Sequence, residues 1–258
     1  MGEALIRGLL RSKLLPPSSL IVSDKNRERL AFLHRKYKIE TTSDNKHLIR
    51  HAQNILLAVK PQNRPELFPE ISPWLSKKHL VISIMAGVDI PTLKGGLKGF
   101  KALVRVMPNL PALIDSGIAG IYCTRSVSKK QKRFAHQIFE AVGKTVDIPK
   151  EKWMDAVTGL SGTGPAYLFA LIEALMKGGK TAGLPSSVAK QLTLETMVGA
   201  AQMALQTNLP PEELRKRVTS KKGTTWAAMK IFKKKKFWNT VEQAVVAATK
   251  RSHQLRGK

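Results

Sequence analysis

Asn54-Ile-Leu-Leu-Ala-Val59-Lys60-Pro61 is an unbroken apolar run stopped by a lysine and a proline. A half-solvated strand alternates apolar with polar residues, so a continuous run of this length suits a strand buried on both faces, as in helix-covered parallel sheets. Working outward, Leu20 to Val22, His79 to Met85, Lys101 to Met107 and Gly117 to Cys123 also read as strands. The stretches between them have helical character. Residues 2 to 12 place Leu5, Ile6, Leu9 and Leu10 on one face, and further helices are predicted over 26–37 and 129–141. Strands alternating with helices predict an α/β, Rossmann-like, mainly parallel sheet over residues 1–150. Ligands of such sheets bind outside the strand C-termini. The candidate rim is therefore Asp24, Lys60 with Pro61, Ala86 with Gly87, and Pro108 with Asn109.

From Lys152 the strand pattern stops, and residues 151–258 read as an all-helical domain. Ala166 to Gly183 and Ser186 to Gln206 predict long helices rich in Ala, Leu and Met. Pro210 and Pro211 open a short one, and two more follow a Ser-Lys-Lys-Gly-Thr-Thr loop. A few antiparallel helices leave apolar surface uncovered, which predicts a homodimer, or a higher homo-oligomer of dimers, built on this half.

Composition narrows the class. The single Cys123 excludes an intrachain disulfide framework and suits a reducing cytoplasm. The most apolar stretch, around Ala166 to Met176, is short and carries Glu173, so no membrane span is expected. No myristoylation or secretory signal follows the opening Met-Gly. The net charge of +26 attracts anions of every kind, and Lys233 to Lys236 is its densest run. No nucleic-acid module signature accompanies it, so a solvated basic face is the expectation and nucleic-acid binding the alternative. No metal ligand set is assigned.

A dinucleotide fold normally opens with a strand, a Gly-x-Gly-x-x-Gly turn and a helix whose N-terminus holds the pyrophosphate. Here the chain opens directly on Met1-Gly2 and a helix. Gly2 takes the place of the third glycine, and the first strand is expected to be missing from the sheet. At the next strand end Asp24 favours the free ribose hydroxyl of NAD, whereas Ser23, Lys25 and Arg27 favour the extra phosphate of NADP. The balance leans to NADP (NADPH).

Several motifs then fall in one order. Met1-Gly-Glu-Ala-Leu5, Val59-Lys-Pro-Gln62, Ser83-Ile-Met-Ala-Gly-Val88, Arg105-Val-Met-Pro-Asn109, Leu160-Ser-Gly-Thr-Gly-Pro-Ala-Tyr167 and Val218-Thr-Ser-Lys-Lys-Gly-Thr-Thr225 resemble the pyrroline-5-carboxylate reductases. The resemblance runs from the first residue to the last helix. It implies reduction of 1-pyrroline-5-carboxylate to proline with NAD(P)H. The cofactor would be lined by Gly2, Ser23, Asn45, Val59, Lys60, Pro61, Ala86, Gly87, Pro108 and Asn109. Val218, Ser220, Gly223, Thr224 and Thr225 would form the substrate loop, with Thr225 the residue at the reacting imine. Ser161 to Gly164 would start a helix facing the same cleft. Two further readings stay open: an inactive, truncated member of that family, and a related imine or β-hydroxyacid reductase. Besides its opening, the chain departs from the family at Lys221-Lys222, where Pro-Gly is usual, and at Leu110, where Thr is usual. A lysine forced into left-handed backbone there costs about 1–2 kcal/mol.

Overall fold

The computed structural model describes residues 1–256. The chain forms two compact units, one of Met1–Thr163 with the segment from Ala247 onward, the other Gly164–Val246.

The first unit alternates as its apolar runs require: α1 (Gly2–Arg11), β1 (Ile21–Ser23), α2 (Arg27–Tyr37), β2 (Glu40–Thr42), α3 (Asn45–His51), β3 (Asn54–Leu57), α4 (Arg64–Ile71), β4 (Leu80–Ser83), α5 (Ile90–Gly96), β5 (Leu103–Met107), β6 (Gly117–Cys123), α6 (Lys129–Glu140), β7 (Gly143–Asp147) and α7 (Met154–Val157). Strands β3-β4-β5-β6-β7 form one sheet, parallel except at β5–β6, and β1–β2 form a separate parallel pair. β1 and β3 each have a single ladder partner among the described residues. The apolar run that predicted a doubly buried strand is ordered as strand only to Leu57, and Asn54 at its start is exposed. The doubly buried strand is β4, from which Leu80, Val81, Ile82 and Ser83 are wholly excluded from solvent. One core, with Leu5, Ile82, Val106, Ile121 and Phe139, lies under α1 and α6; the other, with Ile55, Phe68, Val81 and Leu93, lies under α4 and α5.

Five of the seven described non-glycine residues with positive φ are lysines: Lys13, Lys38, Lys98, Lys222 and Lys236. Four of them follow the C-terminal ends of α1, α2, α5 and a later helix, where glycine or asparagine is the usual choice. A cation there meets the negative end of the helix dipole, a gain of about 0.3–1 kcal/mol that offsets part of the strain. This gives a share of the +26 a structural reason.

His79 is buried and satisfied only as the neutral ring. Its Nδ1 accepts from the Ser76 N–H at 2.9 Å, so Nε2 carries the proton and donates to the Ile49 carbonyl at 3.1 Å. Burial holds its pKa below the ordinary 6.5. The unfolded chain takes up that proton first, so stability is full above 6.5 and falls as pH drops through it. Denaturation midpoints should decline as pH falls below 6.5, and His79→Gln should flatten part of that decline. An unchanged slope in the variant removes His79 from the account.

The second unit holds α8 (Gly164–Thr181), α9 (Ser186–Thr207), α10 (Pro211–Arg217), α11 (Thr224–Lys234) and the first part of α12 (Phe237–Gln254). Not one residue of α8 is buried, and Leu168, Phe169, Leu192 and Val198 of α8 and α9 are all more than half exposed. Among the described residues no helix is long and apolar enough to cross a membrane, and no cluster of three or more metal-ligating side chains occurs.

Candidate active site

The cofactor candidates all lie in the first unit, at or just after strand ends or at helix starts. Gly2 is the first residue of α1, and a Cβ built on it would lie 3.5 Å from that of Ala58, just past β3. The N–H groups of α1 therefore open beside the β3 strand end, an arrangement that suits an anion. Glu3 would oppose one, but it is taken up by Arg29, Lys36 and Tyr37 of α2. Burial pushes its carboxyl up, yet the hydrogen bonds from these three hold it down at about 2.

Val59, Lys60 and Pro61 follow β3, with Val59 and Lys60 exposed; Ala86 and Gly87 follow β4; Pro108 and Asn109 follow β5. Asn109 Oδ1 accepts from the Ile118 N–H at 2.9 Å, so its side chain ties the loop after β5 to β6. Leu110 follows it and is half exposed. Ser23 closes β1, and Asn45 is the first residue of α3 after β2. Asp24 does not cap the helix that follows it. Asn26 caps α2, and the Asp24 carboxylate accepts from the Asn26 N–H within the turn. Lys25 reaches Glu66 at 2.6 Å.

Ser161 precedes the start of α8 at Gly164. Thr158–Gly162 is a single π-helical turn, set by Thr163 N–H bonding back to the Thr158 carbonyl. Gly162 packs so tightly on Met107, at the end of β5, that a Cβ would lie 2.4 Å from the methionine methyl. Ser161 Oγ is buried there without a hydrogen-bond partner. An orphaned hydroxyl beside the Pro108–Asn109 loop is an unmet polar demand of the kind a bound ligand satisfies.

The substrate-loop candidates lie in the second unit. Val218 is the exposed C-cap of α10, and Gly223 is the N-cap of α11. The loop folds back on itself: Gly223 N–H donates to the Ser220 carbonyl at 3.0 Å, and a Cβ on Gly223 would meet Ser220 Oγ at 2.3 Å. No side chain caps α11. Thr224 and Thr225 are its first two residues, Thr224 exposed and Thr225 half-buried. A helix start without a side-chain cap, with hydroxyls in its first turn, can take a carboxylate on its N–H groups.

Lys222 has φ +62, the left-handed conformation expected for this position. Replacing it with glycine removes about 1–2 kcal/mol of strain but adds unfolded-state entropy, for a net gain of about 0.5–1 kcal/mol in stability. Lys222→Gly should raise the denaturation midpoint, whereas Lys221→Gly, where no positive φ exists, should not. Equal shifts in both would remove the backbone explanation.

Sequence reasoning missed a buried ion network. Arg105, pointing from the middle of β5, pairs with Glu151 and with Asp155 of α7, the latter at 3.3 Å; Asp155 also receives Ser252 Oγ at 3.0 Å and the Arg256 guanidinium. The available signal was a charged residue inside the otherwise apolar Leu103-Val-Arg-Val-Met107.

Comparison with known proteins adds to this geometry. Residues 151–255 match a family model described as pyrroline-5-carboxylate reductase dimerisation, and residues 1–87 match one described as NADP oxidoreductase, coenzyme F420-dependent. A pyrroline-5-carboxylate reductase of Pseudomonas aeruginosa is 40% identical over 255 residues, covering 99% of this chain and 93% of its own. The solved structure of such a reductase from Coxiella burnetii superposes with a TM-score of 0.92 at 33% identity, covering 100% of this chain and 95% of that one. A Plasmodium falciparum pyrroline carboxylate reductase with NADP bound gives 0.88 at 31% identity, covering 99% and 94%.

Proposed function

The chain belongs to the pyrroline-5-carboxylate reductase family, and on that premise we propose how its residues divide the reduction of 1-pyrroline-5-carboxylate to L-proline. The observation that carries the assignment is the glycine-capped start of α11, bearing Thr224 and Thr225 with no side-chain cap. A cyclic imine acid presents one carboxylate and one ring nitrogen. The first N–H groups of α11 take the carboxylate without a buried cation. Thr225 Oγ1 accepts a hydrogen bond from the protonated ring nitrogen and so fixes which face of the C=N is presented. The loop of Val218, Ser220 and Gly223 sets the shape that admits a compact ring.

NADPH supplies the hydride when bound. Its pyrophosphate suits the N-terminus of α1 at Gly2, and Val59 to Pro61, Ala86, Gly87, Pro108 and Asn109 edge the groove beyond the strand ends. Ser23 and Asn45 stand at the ribose end. NADPH is favoured over NADH because Asp24 is committed to its turn while Arg27 is exposed. These residues align reactants and exclude water, so no histidine or carboxylate pair is required. Between Glu213 and Glu242 ten lysines and arginines occur with no acid, and their field draws an anionic substrate towards the loop. The same proposal includes a homodimer joined through the exposed apolar faces of α8 and α9, working in the cytoplasm.

The test is NADPH absorbance followed with purified protein and 1-pyrroline-5-carboxylate, repeated with NADH. Substrate-dependent oxidation, faster with NADPH at limiting cofactor, is the expected result. Folded protein that oxidises neither cofactor overturns the assignment and favours an inactive family member.

A further inference from the structure

We propose that the end of α12 and the turn after it, Ser252 to Arg256, form a clamp that sets the backbone after β4 for cofactor binding. The proposal rests on the reading above that Ala86 and Gly87 edge the cofactor. In the stretch 85–90 only Ala86 is exposed, while the residues on either side of it are buried. What packs on that stretch is the pair Leu255 and Arg256. Gly87 has φ +72, and a Cβ on it would lie 3.0 Å from that of Leu255. Two residues on, Asp89 caps α5 by accepting from the Thr92 N–H at 2.9 Å, and Arg256 Nη1 stands 3.7 Å from the other carboxylate oxygen. Arg256 is itself fixed by Asp155, which Ser252 and Arg105 also hold. Glu151, the other partner of Arg105, reaches the Ile90 N–H at 3.5 Å.

The segment is thus held at Gly87 by Leu255, at Asp89 by Arg256 and at Ile90 by Glu151. A left-handed glycine has several conformations open to it once the residue packed against it is removed. Arg256 Nε is buried without a partner, a cost that an incidental surface contact would not sustain. Leu255 and Arg256 are accordingly positioning residues: they act on the cofactor through the Ala86–Gly87 backbone.

The experiment uses the full chain with Leu255→Ala, Arg256→Ala and Arg256→Lys, and with Lys250→Ala as the control on the same helix. NADPH affinity is read from cofactor fluorescence, and kcat and both KM values from turnover. If loss of the clamp leaves about a tenth of the molecules with a competent segment, the apparent Kd and KM for NADPH rise about tenfold. The KM for the imine and kcat at saturating NADPH stay unchanged, Arg256→Lys recovers part of the loss, and Lys250→Ala matches wild type. A lower melting temperature with NADPH affinity unchanged in both alanine variants overturns the proposal, because the turn is then structural only. Failure of the underlying reading looks different: the wild-type chain gives no NADPH signal, and the clamp falls with it.

Discussion

Asp155→Ala should cost about 3–5 kcal/mol of folding stability, the penalty for breaking a buried ion pair from one side. The Asp155 side chain is 5% exposed and that of Arg105 is 3% exposed, so water cannot replace the lost carboxylate. Ser252 Oγ, the Arg256 guanidinium and one arm of Arg105 lose their acceptor together. A domain has only about 5–15 kcal/mol in total, so the loss takes a large share of it. Denaturant titration of the purified variant measures the effect. Asp155→Asn, which keeps an acceptor for Ser252 but no charge, should fall between the two. A change under about 1 kcal/mol in Asp155→Ala would mean that the network is solvated and contributes as little as a surface pair.

Thr225→Val should lower kcat/KM by about 10- to 100-fold. The substitution keeps the shape of the side chain and the N–H groups of α11 while removing one hydroxyl. A hydrogen bond to a charged group contributes about 1.5–3 kcal/mol, which converts to that range of rate. The fall should appear in kcat and in the imine KM, with the NADPH KM unmoved, because Thr225 lies in the helical unit and not at the strand ends. Thr224→Val, at the exposed neighbouring position, should stay close to wild type. If Thr225→Val also stays there, the ring nitrogen is held by another group and the role assigned to Thr225 is lost.

Most of the architecture was legible because its signals are local. The apolar runs located β1, β3, β4, β5 and β6, and Pro61, Gly87 and Pro108 marked their ends. β2 and β7 escaped notice for a physical reason. Glu40-Thr-Thr42 is three residues long and polar, and β7 is an edge strand mostly open to water, so neither carries a burial pattern. The helix Asn45–His51 carries little local signal because it rests on the Asp44 cap and a single buried Ile49. Lys222 was legible in its backbone geometry because a lysine stands where a left-handed residue is expected. The Arg105–Asp155–Arg256 network was not legible. Its members lie 50 and 101 positions apart, and nothing local distinguishes a buried aspartate in a short helix from a solvated one.

The first unit is discontinuous, its early part closed by the late segment Ser252 to Arg256. At a synthesis rate of about 5–20 residues per second, Ser252 to Arg256 are made roughly 5–20 s after Thr163. For that interval all seven described strands are already made, yet Asp155 and the Gly87 backbone wait for partners not yet polymerised. The last contacts of this unit therefore form only once the helical unit has been made. Premature termination near residue 250 would release a chain with all its motifs and an unsealed cofactor half, a natural substrate for chaperones and proteases.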